Sequence, residues 1–273
     1  MRIAIRLRAW SLFVGPLLVA AGQAQWGVAQ APPDPGADPI AQALAEPLLD
    51  SYQAKQEVRA YVSARIPKLD QPPSSEQWNV RAARLRQQVL DEVVFRGEAR
   101  RWRDAETRVV WLDTIDEGKD YRIRKFRYEA LPGFWLPALL YEPDRLEAKL
   151  PVVINPNGHH RGGKAMPYKQ RRCINLARRG ILAYNLEFID MGQLRHSGNK
   201  HNRLVQLDLC GTSGLAPFYL ALHHGLNVAL SHDHADPRRV GVTGLSGGGW
   251  QTIMLAALDD RVTLANPVAG YCS

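Results

Sequence analysis

The sequence predicts an α/β protein in which a mostly parallel β-sheet is covered by helices on both faces and preceded by a helical extension. Two features lead to this prediction: short apolar runs bounded by turn residues, typical of strands, and longer amphipathic segments between them, typical of helices. The composition agrees, because 45% hydrophobic and 23% charged residues are ordinary values for a globular protein. With 273 residues the chain has room for one large α/β domain and the extension.

Residues 1–29 have the pattern of a secretory signal peptide. Arg2, Arg6 and Arg8 precede an apolar core over about residues 9–21, and small residues suited to cleavage follow. This core is too short to span a bilayer comfortably. The pattern therefore predicts export to the periplasm or the exterior, with no stable membrane insertion after cleavage. An uncleaved membrane anchor is the alternative.

A proline-rich linker over residues 30–40 precedes a helical extension over residues 41–107. The first helical pattern of the extension covers residues 51–66. The second begins after Ser74, where Gln77 three positions later completes a capping box. Nothing in the extension suggests chemistry, so we interpret it as a cap or packing element.

Residues 108–273 contain the alternating strands and helices of the predicted α/β domain. The strands are expected within 121–131, 133–143, 150–158, 177–192, 236–244 and 261–270, and the helices over 169–179, 215–231 and 247–260. Alternation of this kind favours a parallel sheet with helices on both faces. The apolar alternation changes phase near Arg124, which predicts a bulge or bend in the first of these strands.

Ser246 lies between a predicted strand and a predicted helix, in the segment RRVGVTGLSGGGWQTIMLAAL. Gly244, Ser246 and Gly248 form the G-x-S-x-G pattern of a nucleophile elbow. A turn this tight strains the backbone of the serine and leaves no room for side chains two residues away, which accounts for the glycines. The helix then begins at Gly247, whose N–H is directed at the oxyanion that forms when Ser246 attacks a carbonyl.

A second oxyanion donor is expected from the loop after an earlier strand, and INPNGHHRGG, residues 154–163, fits this role. We expect the backbone N–H of His159 to donate, Gly158 to let the substrate approach, and His160 to contact it. Asp190, which follows a later strand on the same rim, is expected to contact substrate as well.

Two other interpretations of the glycine-rich turn remain open. One is a turn that only packs a helix on a strand. The other is a dinucleotide phosphate loop, since Gly244, Ser246 and Gly249 nearly match G-x-G-x-x-G. The phosphate loop is disfavoured because it belongs to the first strand of its fold and requires an acidic residue at the end of the next strand.

At these motifs the sequence resembles the α/β-hydrolase superfamily, and within it exported hydrolases of the acetyl xylan esterase and dienelactone hydrolase-like type. The resemblance covers about residues 121–273 and is carried by GFWLPALLYEP, PVVINPNGHHRGG, NLEFIDMGQ and DPRRVGVTGLSGGGW. It implies the α/β-hydrolase fold and ester hydrolysis by a Ser-His-acid triad, with no metal or organic cofactor. It also implies Ser246 as the nucleophile, with Gly247 and His159 as oxyanion donors.

The chain order of the triad in this family is serine, acid, histidine, yet no histidine follows Ser246. Asp259 and Asp260 are expected to end the helix and solvate its tip rather than to act as the acid. We therefore expect the chain to be truncated at its C-terminus, with the fold incomplete on that side. The acid and the base would then be missing and the fragment alone inactive. For His159 and His160, packing or substrate contact is favoured over a role as substitute base.

The resulting hypothesis is an exported serine esterase that removes small acyl groups from carbohydrate, its substrate being a small acyl ester or acetylated carbohydrate. A prolyl oligopeptidase-like serine peptidase and a non-catalytic binding protein, or pseudoenzyme, on the same fold remain alternatives. The net charge of +8 includes the arginines of the signal peptide, and no Lys/Arg run is interleaved with aromatic residues. Nucleic-acid binding is therefore not expected.

No metal site is predicted. His232 and His234 have the His-x-His spacing of some metal sites, but they fall at a predicted turn, where solvated residues are the favoured interpretation. Cys173, Cys210 and Cys272 lack metal-ligand spacing and are expected to be buried small apolar residues. A Cys173–Cys210 disulfide is the alternative for an exported protein.

Overall fold

The structure is a computed structural model that describes residues 38–66, 74–116, 118–196, 198 and 200–270. The predicted signal peptide and most of the predicted linker lie outside these residues. The chain divides into two compact units, Met1–Asp70 and Gln71–Ser273. None of the helices in the described part of the chain is long and apolar enough to cross a membrane.

The described part of the first unit consists of two helices, α1 (Pro39–Ala45) and α2 (Gln53–Ser63). Asp38 caps α1, because its side chain accepts a hydrogen bond from the backbone N–H of Ile40 at 3.0 Å. The helix α2 lies within the segment 51–66, where the apolar periodicity predicts it.

The second unit begins with α3 (Ser75–Val89), whose N-cap Ser74 accepts a hydrogen bond from the N–H of Gln77 at 3.3 Å. A π-helical turn (Leu90–Val94) and the short helix α4 (Ala99–Arg103) follow. The remaining elements are β1 (Val109–Asp116), β2 (Tyr121–Leu131), β3 (Phe134–Pro143), β4 (Leu150–Pro156), α5 (Pro167–Ala177), β5 (Leu182–Leu186), α6 (Gln206–Leu209), α7 (Ala216–Leu230), β6 (Ala235–Leu245), α8 (Gly247–Leu258) and β7 (Leu264–Val268).

These strands form one mixed sheet with the order β1-β2-β3-β5-β4-β6-β7. The pairs β5–β4, β4–β6 and β6–β7 are parallel, as the alternation of strands and helices predicts, so the α/β class is confirmed. The pairs β1–β2, β2–β3 and β3–β5 are antiparallel, so the sheet is less parallel than expected. For β1–β2 and β2–β3 the physical reason is the short connections, which allow only hairpins.

A bulge lies opposite Arg124, but it is in β1 and not in β2, the strand for which it was predicted. The register of the two strands shifts between Trp111 and Thr114, which pair with Phe126 and Arg124, so the extra residue lies in β1. The turn from β2 to β3 contains Gly133 with φ at 83°, a conformation that favours glycine.

Apolar side chains cover both faces of the sheet, because successive residues of a strand point to opposite faces. The larger cluster contains Leu140 and Tyr184 together with residues of α7, α8 and the π-helical turn. The smaller cluster contains Tyr141 and Ala183, the chain neighbours of the first two, together with residues of α5. The central strand β5 is buried along its whole length, as expected of a strand covered on both faces of the sheet.

Cys173 and Cys210 are both free thiols in the structure, so the alternative disulfide between them is not formed. The expected burial is confirmed for Cys173, and burial raises the pKa of its thiol to about 12. It is wrong for Cys210, which is exposed after the short helix α6. Cys272 lies outside the described residues.

Candidate active site

Ser246 connects β6 to α8 with a backbone conformation that L-residues rarely adopt, φ 58° and ψ −118°. Positive φ at a non-glycine residue costs on the order of 1–3 kcal/mol and persists only where the surroundings impose it. Here the N–H of Ser246 donates to the carbonyl of Val268 at 2.9 Å, and the carbonyl of Ser246 accepts from the N–H of Trp250 at 2.9 Å. The serine itself is exposed.

The glycines around the serine are required by close backbone approach, as the elbow motif predicts. A Cβ atom on Gly244 would lie 2.5 Å from the carbonyl carbon and oxygen of Gly248. A Cβ atom on Gly248 would lie 2.5 Å from the carbonyl oxygen of Pro156. Since backbone atoms cannot move aside cheaply, side chains at these two positions would open the turn.

The loop after β4 lies against the amino end of α8. A Cβ atom on Gly158 would approach the backbone nitrogens of Gly247 and Gly248 to 3.0 Å, and the carbonyl oxygen of Leu245 to 2.6 Å. The first amides of a helix have no partner within the helix and lie at its positive dipole end. The structure thus brings Gly158 and Gly247 together, while donation by the N–H of His159 stays a prediction.

Buried amide side chains hold this loop in place. Asn157 donates to the side-chain oxygen of Asn185 at 2.7 Å, and Gln251 donates to the backbone carbonyl of Asn157 at 2.7 Å. Asn185 in turn donates to the backbone carbonyl of Lys164 at 3.1 Å. These bonds join the ends of β4 and β5 to α8, so the loop position is determined by the core of the sheet.

A buried ion pair supports the far side of the same loop. Lys164 Nζ lies 3.0 Å from Glu187 Oε2, and the two side chains are 9% and 1% exposed. Gly163 and Gly192 pack directly on the carboxylate, since a Cβ atom on either would lie about 2 Å from a Glu187 oxygen (2.1 and 2.2 Å). Sequence reasoning does not identify this buried carboxylate, because its burial depends on two loops that are distant along the chain.

A chain of hydrogen bonds runs from the end of β5 to the elbow. Asp190 Oδ2 lies 3.0 Å from His201 Nδ1, and His201 Nε2 lies 3.0 Å from His159 Nε2. The opposite edge of the His159 ring faces the elbow, because a Cβ atom on Gly247 would meet His159 Nδ1 at 3.0 Å. Phe188 packs edge-on against the His159 ring at a centroid distance of 5.0 Å.

The surroundings of these hydrogen-bonded side chains shift the pKa values of two of them, His159 and Asp190. Burial lowers the pKa of His159, the neighbouring His201 lowers it further, and Asp190 partly opposes the shift. Burial opposes the ionisation of Asp190, but hydrogen bonds from Lys200 and His201 outweigh it and hold the pKa of the carboxyl below its usual range. The arrangement therefore favours a charged Asp190 and a neutral His159 near pH 7.

The two predicted substrate contacts, His160 and Asp190, lie in different surroundings. His160 is exposed on the loop, 6.4 Å from the ring of Tyr168, and its Nδ1 accepts from the N–H of Gly162 at 3.1 Å. Asp190 is buried, and its described contacts are Lys200 and His201 rather than open solvent. Substrate contact by either residue stays a prediction.

Two expectations about polar residues outside the site are wrong. Asp259 does not solvate the tip of α8: it is 5% exposed and bonded to Arg261 and His223. His232 is not a solvated turn residue, since its side chain is 8% exposed and lies 3.1 Å from the buried Glu142. Within the described ranges, no three His, Cys, Asp or Glu side chains are grouped so as to hold a metal ion.

No family model and no curated protein matches the sequence. Solved structures match at low identity. A methylesterase is 23% identical with a TM-score of 0.57, and the match covers 80% of this chain and 46% of that one. A candidate acetyl xylan esterase from Bacteroides fragilis is 18% identical with a TM-score of 0.62, covering 77% and 58%. A glucuronoyl esterase from Solibacter usitatus is 14% identical with a TM-score of 0.52, covering 74% and 64%.

The chain thus spans about half the length of the first two of these structures, 46% and 58%. At such identities the likeness establishes a shared fold. It leaves the chemistry to be argued from the residues of the site.

Proposed function

Since the chain has the α/β-hydrolase fold that these structures share, we propose that it is a serine esterase with Ser246 as the nucleophile. The observation that carries the proposal is the strained backbone of Ser246, with φ at 58°, directly before the amino end of α8. Strain of this kind is retained where function requires it. A turn that served only to pack the helix on the strand would have no use for an exposed hydroxyl at its apex.

The surrounding amides supply what ester hydrolysis requires. Attack of Ser246 Oγ on an ester carbonyl places negative charge on the carbonyl oxygen, and preorganised N–H donors stabilise that charge. The N–H of Gly247 lies beside Gly158, and we propose the N–H of the next residue, His159, as the second donor. Each such donor is worth about 3–4 kcal/mol in the transition state.

For the substrate we propose small acyl esters, with acylated carbohydrate as the natural class. The names of the matched structures, an acetyl xylan esterase and a glucuronoyl esterase among them, support this class. Aromatic rings near the serine are consistent with it: Trp250, one helical turn after Ser246, packs edge-on with Phe218 at 5.2 Å. We further propose that the signal peptide directs the protein to the periplasm or the exterior.

Turnover of p-nitrophenyl acetate by the complete gene product tests the proposal. We expect the Ser246→Ala variant to lose nearly all activity. Ser231→Ala is the matched control, because Ser231 ends α7 and its hydroxyl donates only to the carbonyl of Val228 at 2.9 Å. Equal activity in the wild type and Ser246→Ala would end the proposal. Preferential cleavage of a proline-containing peptide would favour the peptidase alternative instead.

A further inference from the structure

A cavity of about 340 Å³ lies at the end of the sheet opposite the elbow, where the parallel strands β4 and β6 begin. Strands β1 and β2, the loop before β4 and the turn between α7 and β6 supply its lining. Its volume falls within the range of roughly 300–1,000 Å³ that is usual for small-molecule sites. The elbow follows β6, whose 11 residues place it on the order of 35 Å from the cavity at about 3.3 Å per residue. The cavity is therefore separate from the candidate active site.

The inner wall of the cavity is built around the carboxylate of Glu142, which is fully buried. His232 Nε2 lies 3.1 Å from Glu142 Oε2, and the N–H of His234 donates to His232 Nδ1 at 3.1 Å. Burial opposes the ionisation of Glu142, but hydrogen bonds from His232 and Arg122 outweigh it and hold the pKa of the carboxyl below its usual range. Both nitrogens of His232 are engaged, so this ring shapes the cavity without offering a hydrogen bond to a ligand.

Arg124 presents hydrogen-bond donors to the cavity. Its guanidinium lies 4.1 Å from the centroid of the Trp111 ring and 3.8 Å from Glu142 Oε2, so it is held from two sides. The contact with Glu142 is too long for a hydrogen bond, and in the described part of the chain the guanidinium has no other acceptor. A planar fork of donors fixed in this way is suited to bind the oxygen atoms of a ligand.

The turn between α7 and β6 supplies acceptors. His234 Nδ1 lies 3.2 Å from the backbone carbonyl of Ala148, and because a carbonyl only accepts, Nδ1 carries the proton and Nε2 of the neutral ring is an acceptor. The Ser231 hydroxyl donates to the carbonyl of Val228 at 2.9 Å, and its oxygen can still accept. The side chain of Asp233 is exposed at the mouth of the cavity, and none of the described residues bonds to its carboxylate.

The combination of a positive donor, a negative acceptor and apolar surface selects among ligand classes. An anion would lie beside Asp233 and a cation beside Arg124, and either contact between like charges is unfavourable. A purely apolar ligand would leave both charged groups without hydrogen bonds. A neutral sugar avoids these penalties. Its hydroxyls donate to Asp233 and accept from Arg124, while its C–H faces pack against Trp111 and Leu146.

We propose that this cavity is a carbohydrate-binding site, separate from the elbow, that takes one unit of a neutral saccharide. The proposal does not depend on Ser246 acting as a nucleophile, because the two sites share no residue. Binding at this end of the sheet leaves the elbow free. The cavity would thus attach the protein to a carbohydrate polymer without competing with an ester for the serine.

Titration of the complete gene product with xylotetraose tests the proposal. This oligosaccharide is neutral and carries no acyl group, so an esterase cannot consume it. The indole N–H of Trp111 gives a separate ¹H–¹⁵N resonance, which its loss in Trp111→Phe identifies. We expect this resonance to shift saturably with xylotetraose. Much weaker shifts are expected with tetragalacturonic acid, which is anionic, and with the glucosamine tetramer, which is cationic.

Asp233→Ala should raise the dissociation constant measured at Trp111 by about tenfold or more, as expected for the loss of hydrogen bonds to a charged group. Because Asp233 is exposed, the variant should fold like the wild type. Asp260→Ala is the matched control, since Asp260 is also an exposed aspartate and is not among the residues that line the cavity. It should leave the dissociation constant unchanged. Arg124→Lys keeps the positive charge but loses the planar fork, and should weaken binding to a similar extent.

Three results would overturn the inference. One is a Trp111 resonance that xylotetraose does not shift, even if the resonance of Trp250, one helical turn after the serine, does move. Another is the same affinity in Asp233→Ala as in the wild type. The third is tighter binding of the anionic or the cationic tetramer, which would exclude a neutral saccharide as the ligand. None of these results bears on the esterase proposal, which Ser246→Ala tests independently.

Discussion

Each end of α8 has a histidine–aspartate pair nearby, and the two pairs have the same geometry: in both, Nδ1 lies 3.0 Å from a carboxylate Oδ2. Near the amino end the pair is His201 and Asp190, and the other nitrogen of His201 lies 3.0 Å from His159. The hydrogen bonds of this pair therefore extend to the ring of His159, which lies against Gly247, beside the strained serine.

At the carboxyl end the pair is His223 and Asp259, and the hydrogen bonds stay within a closed cluster. Arg261 binds both carboxylate oxygens, at 2.8 and 2.6 Å. Burial opposes the ionisation of Asp259, yet the bonds from Arg261 and His223 outweigh it and hold the pKa of the carboxyl far below its usual range. The ring of His223 stacks on Tyr219 at a centroid distance of 5.6 Å. This pair ends the helix and ties it to α7.

The difference shows that a histidine bonded to a carboxylate is not by itself a sign of catalysis. The two ends differ in what the other ring nitrogen of the histidine contacts, and in whether an exposed nucleophile lies nearby. The amino end combines an exposed hydroxyl, helix amides and a second imidazole, whereas the carboxyl end uses its polar groups for attachment. Changes at the carboxyl end should therefore alter stability alone, and changes at the elbow should alter stability and catalysis together.

The largest expected change in stability follows from Asp259→Ala. Removing one partner of a buried ion pair leaves the other charge uncompensated and typically costs about 3–5 kcal/mol. Because the Arg261 side chain is 31% exposed, we expect a loss near the lower end, about 3 kcal/mol. Urea unfolding measures this loss, and kcat per folded molecule should be unchanged.

Asp260→Ala is the matched control, since Asp260 is the adjacent aspartate and is exposed. It should change the free energy of unfolding by less than about 0.5 kcal/mol. If Asp259→Ala lowers kcat as much as it lowers stability, the carboxyl end is coupled to the site and the contrast between the two ends is wrong.

The next largest effect is expected at the elbow, from Gly244→Ala. The new Cβ atom would lie 2.5 Å from backbone atoms of Gly248, and overpacking of this kind typically costs about 1–3 kcal/mol. Relief of the clash requires the turn to open, which moves Ser246 away from the helix amides. We therefore expect kcat for p-nitrophenyl acetate to fall at least tenfold even where the variant is fully folded.

Gly241→Ala on the same strand separates the steric effect from the loss of a glycine. The nearest atom to its Cβ would be the Cγ2 atom of Val153, at 3.3 Å, and a side-chain methyl yields more easily than backbone. This variant should keep its kcat. Wild-type kcat in folded Gly244→Ala would mean that the tight turn is not needed for catalysis.

The two ends of α8 also show which features of the molecule could be predicted from the sequence and which could not. The elbow was predictable because its signal lies in five consecutive residues, Gly244 to Gly248, between a strand pattern and a helix pattern. The α/β architecture followed from local periodicity in the same way. The hydrogen-bonded residues at the amino end had no such signal in the sequence. His159 and His201 are 42 residues apart and meet only when two loops fold together.

Burial of polar groups was the other feature that the sequence did not reveal. Asp259 has the local pattern of a solvated helix end, and its burial arises from His223, 36 residues earlier on α7. Glu187 and Asp190 are likewise polar residues after a strand, and nothing in their neighbours along the chain distinguishes a rim position from a buried one. Non-local packing decides these cases.

The smallest of the three effects concerns pH and a histidine at the carboxyl end. Burial, together with the neighbouring His223 and Arg261, lowers the pKa of His224 to about 4. Between its folded pKa of about 4 and the ordinary value of 6.5, His224 binds a proton in the unfolded state but not in the folded state. Its contribution to stability is therefore complete above pH 6.5 and is lost as the pH falls. From pH 6.5 to 5 the loss is up to about 2 kcal/mol.

Because other groups titrate in this range, the measurement is the difference between the wild type and His224→Gln in urea unfolding at several pH values. Glutamine keeps a hydrogen bond to Thr107, which contacts His224 Nδ1, but it has no proton to gain. We expect the stability gap between the two proteins at pH 7 to narrow steadily towards pH 5. The kcat for p-nitrophenyl acetate should be identical in the two proteins, because His224 belongs to the carboxyl end of α8 and Ser246 to the amino end. A lower kcat in folded His224→Gln would show that the carboxyl end is coupled to the site.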